Sequence, residues 1–275
     1  SIVVTWRDRE ELGQALPSIV ASAESVGGEV VIVNFGGDPA ALERQLGDRG
    51  ERCRVVSGPP QPYFHKAVAN NVGARFARGE MLFFCDCDII LPDGLVGRLA
   101  RRLADSPGHF ATLAGVRETQ VNSRGGRHVV SFGYQLDIKT ADGRRLRIVD
   151  NEEDAEEGTR QAPGLLLVRK TDFLRVGGYN GQLHGWGWED QDMISRLTLG
   201  AGLARLTEGY ALHISHDDAG RIAAYPPVGS RWESRDRMFR TALANYDAND
   251  FLGSYAADAA AAAAFSEVSR VAAAT

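Results

Sequence analysis

Short, almost purely apolar runs alternate with longer amphipathic ones through the first hundred residues. Residues 2–5, 29–34, 54–56 and 81–85 read as strands, with helices over 10–25, 39–46 and 63–77 between them. Strands covered on both faces need near-continuous apolar sequence, and helical crossovers keep such strands parallel. The rhythm therefore predicts a parallel sheet with helices on both faces. Connections of only a few residues fit one doubly wound lobe ending near residue 95.

Beyond that point the pattern loosens. A helix is expected over 94–105, a strand over 111–116, and a hairpin over 129–150 that turns on Asp142-Gly143. The run Asn-Glu-Glu-Asp-Ala-Glu-Glu that follows Asp150 reads as a solvated, mobile loop. A strand over 165–169, helices over 171–176 and 191–199, and a last strand over 211–214 complete this half. The alanine-rich tail from Ser254 predicts a terminal helix, docked on the body or on a second copy.

Composition narrows the class without naming a function. With 275 residues, 44% hydrophobic and 24% charged, the chain suits one large soluble domain or two fused lobes. A net charge of -5 gives no general attraction to nucleic acid or anionic membrane. An anionic substrate would need local cations or a bound metal. Cys53, Cys85 and Cys87 make no disulfide framework and read as small buried residues in a reducing compartment. No apolar run of about 20 residues and no signal segment is present, so a soluble cytoplasmic protein is expected.

Three clusters carry chemistry. Asp86 and Asp88 end the apolar run Met-Leu-Phe-Phe-Cys, where open α/β sheets bind ligands, and the period of two puts both on one side. Two such carboxylates repel unless a cation or donors neutralise them, and a divalent ion shared with a diphosphate would do so. Next, five glycines between 177 and 187 surround Trp186 and precede Trp188, Glu189 and Asp190. That combination describes a loop that stacks on a sugar and hands a proton acceptor, Asp190, to the start of a helix. Asp192 reads as structural, paired with a nearby base. Last, His213 and His216 close the final strand, and a neutral imidazole is a sensible further ligand for a Mn²⁺-like ion, His216 ahead of His213.

Taken in order, these segments resemble the GT-A glycosyltransferases of family 2 and, in the C-terminal half, the β-1,4-galactosyltransferase and chondroitin-polymerase group. The matching residues are Thr5-Trp-Arg-Asp-Arg, Asn70-Asn71 with Ala74 and Gly79, the Phe-Phe-Cys-Asp-Cys-Asp run, Gly177-Gly178-Tyr179, Gly185-Trp-Gly-Trp-Glu-Asp-Gln-Asp, and His213 to His216. The resemblance implies a GT-A fold, Rossmann-like and doubly wound, with a nucleotide-sugar half over 1–95, an acceptor half over 96–220 and a helical extension over 221–275. It implies an inverting transfer from a UDP-sugar with Mn²⁺ or Mg²⁺ held by Asp88, His216 and His213. Asp190 would be the general base and Glu189 a sugar contact, with Trp186, Gly187 and Trp188 as the wall. Thr5, Arg7, Arg9, Asn34, Asn71, Arg75, Asp86 and Cys87 would lie with Asp88 along the donor. A homodimer through the terminal helix is a further expectation.

Two departures qualify the donor. Asn34 stands where many family 2 members carry an aspartate that recognises uracil, and the sequence after Ser215 follows its own course. Two rival readings remain. A sugar nucleotidyltransferase shares the lobe but usually carries a Gly-rich basic loop after the first strand, whereas Trp6-Arg-Asp-Arg-Glu-Glu-Leu has no glycine before Gly13. A non-catalytic carbohydrate-binding protein would use the tryptophans but leave the acids and histidines without a role.

Overall fold

A computed structural model describes residues 1–121 and 128–268. The first stretch runs β1 (Ile2–Trp6), α1 (Leu12–Glu24), β2 (Val30–Asn34), α2 (Pro39–Leu46), β3 (Cys53–Ser57), α3 (Lys66–Phe76) and β4 (Met81–Asp86). Then come β5 (Ile89–Ile90), α4 (Leu95–Ala104), β6 (His109–Thr112), β7 (Gly115–Glu118), β8 (Ser131–Lys139), β9 (Arg145–Asp154), β10 (Thr159–Arg160) and β11 (Leu166–Arg169). The remainder holds α5 (Lys170–Arg175), α6 (Glu189–Ser195), β12 (Ala204–Thr207), β13 (Tyr210–His213), α7 (Asp218–Ile222), α8 (Arg231–Asp247), α9 (Tyr255–Ala261) and β14 (Ser266–Glu267).

Eight strands form the central sheet in the order β12-β6-β11-β4-β1-β2-β3-β14. Its heart, β4-β1-β2-β3, is parallel, as the apolar runs predict, while β11 enters antiparallel between β4 and β6. Alternation along β1 divides the core in two. Ile2, Val4 and Trp6 join the cluster under α1, α2 and α4; Val3 joins the cluster shared by α3, α5, α6 and α8. In α1 the buried positions Leu12, Ala15, Leu16, Ile19, Val20 and Ala23 fall on one stripe at helical spacing. Asp38 caps α2 by accepting from Ala40 and Ala41 N–H, with Pro39 at the first helical position. Strands from 1–95, 96–220 and 221–275 all share this one sheet.

A second sheet, ordered β5-β13-β7-β10-β9-β8, stands beside it. The single strand expected over 111–116 is two strands in different sheets. Leu113 and Ala114 make the transfer, bonding to Leu165 and Gly209 carbonyls instead of continuing the ladder. The expected hairpin is present as β8–β9. The acidic run is not a free loop, however. Residues 151–154 belong to β9, and the buried Asp150 accepts from Tyr134 Oη and Gln191 Nε2 at 3.1 and 3.0 Å. Glu152 is bound by Arg231 and Arg235 of α8. These partners supply the neutralisation that lets so acidic a segment pair as a strand.

The alanine-rich tail forms α9, and residues 269–275 lie outside the described residues. This helix docks on α3 of its own chain, where Asn71 Nδ2 donates to Asp258 Oδ2 at 2.6 Å. The tail then adds β14 to the edge of β3 and stacks Phe265 on Phe35, so it extends the sheet as well as the helices. No helix among the described residues is long and apolar enough to cross a membrane.

Candidate active site

The turn from β4 to β5 ends the central sheet and begins the small one. It carries Asp88 into a cleft between the two, opposite the C-terminal end of β13. Asp88 Oδ2 lies 3.1 Å from His216 Nε2, 3.5 Å from His213 Nε2 and 3.4 Å from an Arg9 guanidinium nitrogen. Register places His213 beside Glu118 of β7 and Ile89 of β5. His213 is 2% exposed and Asp88 8%.

The tautomers decide what this cluster wants. His213 Nδ1 lies 2.7 Å from a Glu118 carboxylate oxygen, and His216 Nδ1 lies 3.2 Å from the Asp217 carbonyl. Both acceptors call for N–H on Nδ1, which leaves Nε2 of each ring, the atom that faces the Asp88 carboxylate, as the one that could bind a cation. Asp88 Oδ1 is buried without a partner. Three acceptor groups within 4.8 Å of one another fit a cation. Glu118 behind His213 is the carboxylate that would fix the ring were a metal bound. Arg160 also holds Glu118, at 2.7 Å. Burial would raise the Asp88 carboxyl, but His213, His216 and Arg9 hold it well below the usual range; Glu118 is likewise depressed by His213 and Arg160 against its burial.

On the other side of the β4 end, α3 and α6 meet nose to nose. Lys66, the first residue of α3, places Nζ 2.8 Å from Asp86 Oδ1, 2.9 Å from Asp190 Oδ2 and 3.8 Å from Glu189 Oε1. Burial alone would lower the Lys66 ammonium, yet Asp190, Asp86 and Glu189 hold it well above the ordinary lysine range. Burial pushes Glu189 up to about 8, helped by the Asp190 charge and opposed by Lys66. Asp190 is raised as well, by burial first. Asp190 Oδ1 and Glu189 Oε2 are buried without partners in the protein. Asp192, one turn into the helix, pairs with Arg196 at 2.6 Å and accepts from Tyr246 Oη, the structural role expected of it.

The comparisons follow the same residues. Residues 149–217, which include Glu189, Asp190, His213 and His216, match the family described as the N-terminal domain of galactosyltransferase. Over 204 residues the chain is 22% identical to polypeptide N-acetylgalactosaminyltransferase 3 of Drosophila melanogaster, covering 68% of this chain and 30% of that protein. The chain thus spans less than a third of that curated relative. A crystal structure of S. aureus TarS (residues 1–349) matches with a TM-score of 0.53 at 14% identity, over 78% of this chain and 59% of TarS, and shows the shared fold. Together these matches make the chain similar to glycosyltransferases, with a fold shared with TarS.

The walls of the cleft can be assigned. Thr5, which pairs with Asp86 across β1 and β4, lines it together with Arg7 and Cys87. Arg7 is steadied by the Gln61 carbonyl at 3.0 Å. Arg9 also lines it, beside Asp88 and gripped by Glu11 at 2.9 Å. Trp186 faces the cleft beneath Arg231, 5.6 Å from its ring centre. Trp188 is chiefly a core side chain, 4% exposed and edge-on to Phe239 at 4.7 Å, and only borders the cleft. Gly187 and Trp188 have φ of +91° and +72°, so the chain before Glu189 follows a path that glycine takes freely and tryptophan takes at a cost.

Three expected donor residues of the GT-A lobe are not at the cleft. Asn34 spends its side chain on the turn after β2, accepting from Gly37 N–H at 2.8 Å and donating to its carbonyl. Asn71 is wholly buried and ties α3 to Tyr179 and Asp258. Arg75 is exposed in the last turn of α3, about 13 Å along the helix from Lys66. Conversely, Lys66, Glu118 and Gly164 were not singled out in the sequence. A Cβ at Gly164 would stand 2.5 Å from Asp190 Oδ2, so this glycine makes room for the carboxylate. A lysine heading a helix was the one legible clue among them, because a cation there opposes the dipole and needs acidic company.

Proposed function

We propose that this chain transfers a hexose or N-acetylhexosamine from a UDP-sugar to an acceptor hydroxyl or amine, with inversion, in a metal-dependent reaction. The observation that carries the reading is the convergence on one cleft of Asp88, His213 and His216 with Asp190, residues that lie as far as 128 positions apart in the chain. Asp88, His213 and His216 would hold the cation. When bound, it supplies positive charge for the departing diphosphate. Two imidazole ligands favour Mn²⁺ over the harder, oxygen-seeking Mg²⁺.

The chain's own groups do the rest. Asp190 Oδ1 takes the acceptor proton as the acceptor atom bonds to the anomeric carbon, and the bond from that carbon to the diphosphate breaks with its electron pair leaving on phosphate. Glu189, protonated near neutral pH, donates a hydrogen bond to a sugar hydroxyl. Trp186 offers a flat face to the acceptor. Thr5 and Arg7 lie where the nucleotide would extend along the sheet end, and Asn34, occupied in its own turn, does not select the base.

Melting curves with a panel of nucleotide sugars, each with and without Mn²⁺, test the donor, since a ligand of the native state raises the melting temperature. A UDP-sugar should stabilise the chain only with the metal, and transfer should release UDP. Stabilisation by no nucleotide sugar, or full transfer in excess chelator, would reject the reading.

A further inference from the structure

Lys66 has a role that the metal cluster and the base do not explain by themselves. Its ammonium is the meeting point of carboxylates from two elements, Asp86 at the end of β4 and Glu189 and Asp190 at the start of α6. The side chain is only 12% exposed. A lysine at the first position of a helix sits against the helix dipole, so the acids, not α3, account for its place. Three acids gathered away from water require such a cation.

The contacts on Asp190 are asymmetric. Oδ2 accepts from Lys66 at 2.9 Å and lies against Gly164, whose missing side chain would intrude to 2.5 Å. Oδ1 is buried with no protein partner. The carboxylate is therefore engaged by a donor on one oxygen and by none in the protein on the other. Building on the glycosyltransferase reading above, we propose that Lys66 is the positioning residue that aims Asp190, engaging Oδ2 so that Oδ1 alone is presented to the acceptor. Through Asp86 the same ammonium ties the base to the donor end of β4, which fixes the two sides of the reaction relative to each other.

Lys66 also keeps the base usable. Burial raises the Asp190 carboxyl, and the ammonium is what opposes protonation of a group that must be ionised to act. The groups facing Lys66 are Asp86 from β4, Glu189 and Asp190 from α6, and Tyr225 from the segment after α7. Removing the ammonium leaves only acidic or neutral neighbours.

The test compares Lys66→Met and Lys66→Arg with the unaltered chain in the UDP-release assay. Lys66→Met should lose about 10²-fold in kcat, the scale of a reacting group displaced by an ångström, with a smaller change in donor KM. The acid limb of its kcat–pH profile should move to higher pH. Lys66→Arg, which keeps the charge, should recover at least about a tenth of the original rate. In an Asp190→Asn background, Lys66→Met should slow the reaction no further, because the residue acts through the base. Unchanged kcat in Lys66→Met, or a further full loss in the double variant, overturns the proposal. Should Lys66→Met not fold, the melting temperature decides: adding Asp190→Asn should restore folding, and no restoration overturns the proposal. An unaltered chain that releases UDP while Lys66→Met is equally fast rejects this inference alone; an unaltered chain inert toward every nucleotide sugar rejects the function beneath it.

Discussion

Asp86 and Asp88 leave the same strand two residues apart and enter opposite electrostatic worlds. Around Asp88 the groups are acceptors in excess. Its carboxyl and that of Glu118 are held low by histidines and arginines, and Nε2 of both imidazoles faces the same Asp88 oxygen. Around Asp86 the protein supplies its own cation, Lys66, and the companion acids Glu189 and Asp190 are raised by burial. On the proposed reading, the first cluster would receive a cation from outside and the second would move a proton. One side-chain period along β4 separates charge handling from proton handling.

Asp190→Asn should break the comparison most severely. Lys66 keeps Asp86 and Glu189 as partners, so the fold should survive, while kcat should fall by about 10²–10⁴-fold. Mn²⁺-dependent stabilisation by a UDP-sugar should persist, since the metal cluster is untouched. UDP release at the original rate would remove Asp190 from the mechanism. Glu118→Gln acts on the other cluster and comes next. It weakens the carboxylate that orients His213, and Mn²⁺ affinity measured by calorimetry should drop about 10–100-fold. Equal affinity would show that the ring needs no such support.

The parallel heart of the sheet was legible in the sequence because strands buried on both faces cannot avoid continuous apolar runs, and β1, β2 and β4 are such runs. The small sheet was not. Its strands are short, its hairpin β8 alternates, and β9 is acidic enough to look like a solvated loop until Arg231 and Arg235 close over Glu152. Of the site, Asp88, His213, His216 and Asp190 could be named because each stands in a compact motif at an element's end. Asn34 and Asn71 misled for a physical reason: a buried asparagine reads alike whether it meets a ligand or ties one loop to another. Glu118 meets His213, 95 residues away, and local pattern carries no trace of that; Lys66 left only the clue of a cation heading a helix, because its partner Asp190 lies 124 residues on.

Gly164→Ala sharpens the proton side with a milder effect. The added methyl presses Asp190 Oδ2 away from Lys66 without meeting the metal ligands. A displacement of a fraction of an ångström should cost about tenfold in kcat. Mn²⁺ affinity should stay unchanged. Loss of both together would mean that the two clusters are mechanically one.

The smallest effect concerns stability against pH. His65 and His184 stack at 4.2 Å beside the proton cluster; burial first, then His184, lowers His65 from 6.5 to about 4, and burial lowers His184 too. A lowered histidine contributes stability above its unfolded value and loses it as pH falls from about 6.5 toward 4. Glu189, raised from 4.5 to about 8, has the reverse sign: its contribution is complete below 4.5 and fades as pH rises toward 8. Between 4.5 and 6.5 the two oppose each other, while the depressed carboxyls of Asp88 and Glu118 change stability only at lower pH. Glu189→Gln should therefore make the melting temperature fall by a few degrees more than the unaltered chain's between pH 7 and 5. His65→Asn with His184→Asn should instead make it fall as pH rises from 5 to 8. If Glu189→Gln follows the unaltered chain at every pH, Glu189 is ionised in the fold, and the proton side of the site loses the feature that sets it apart from the metal side.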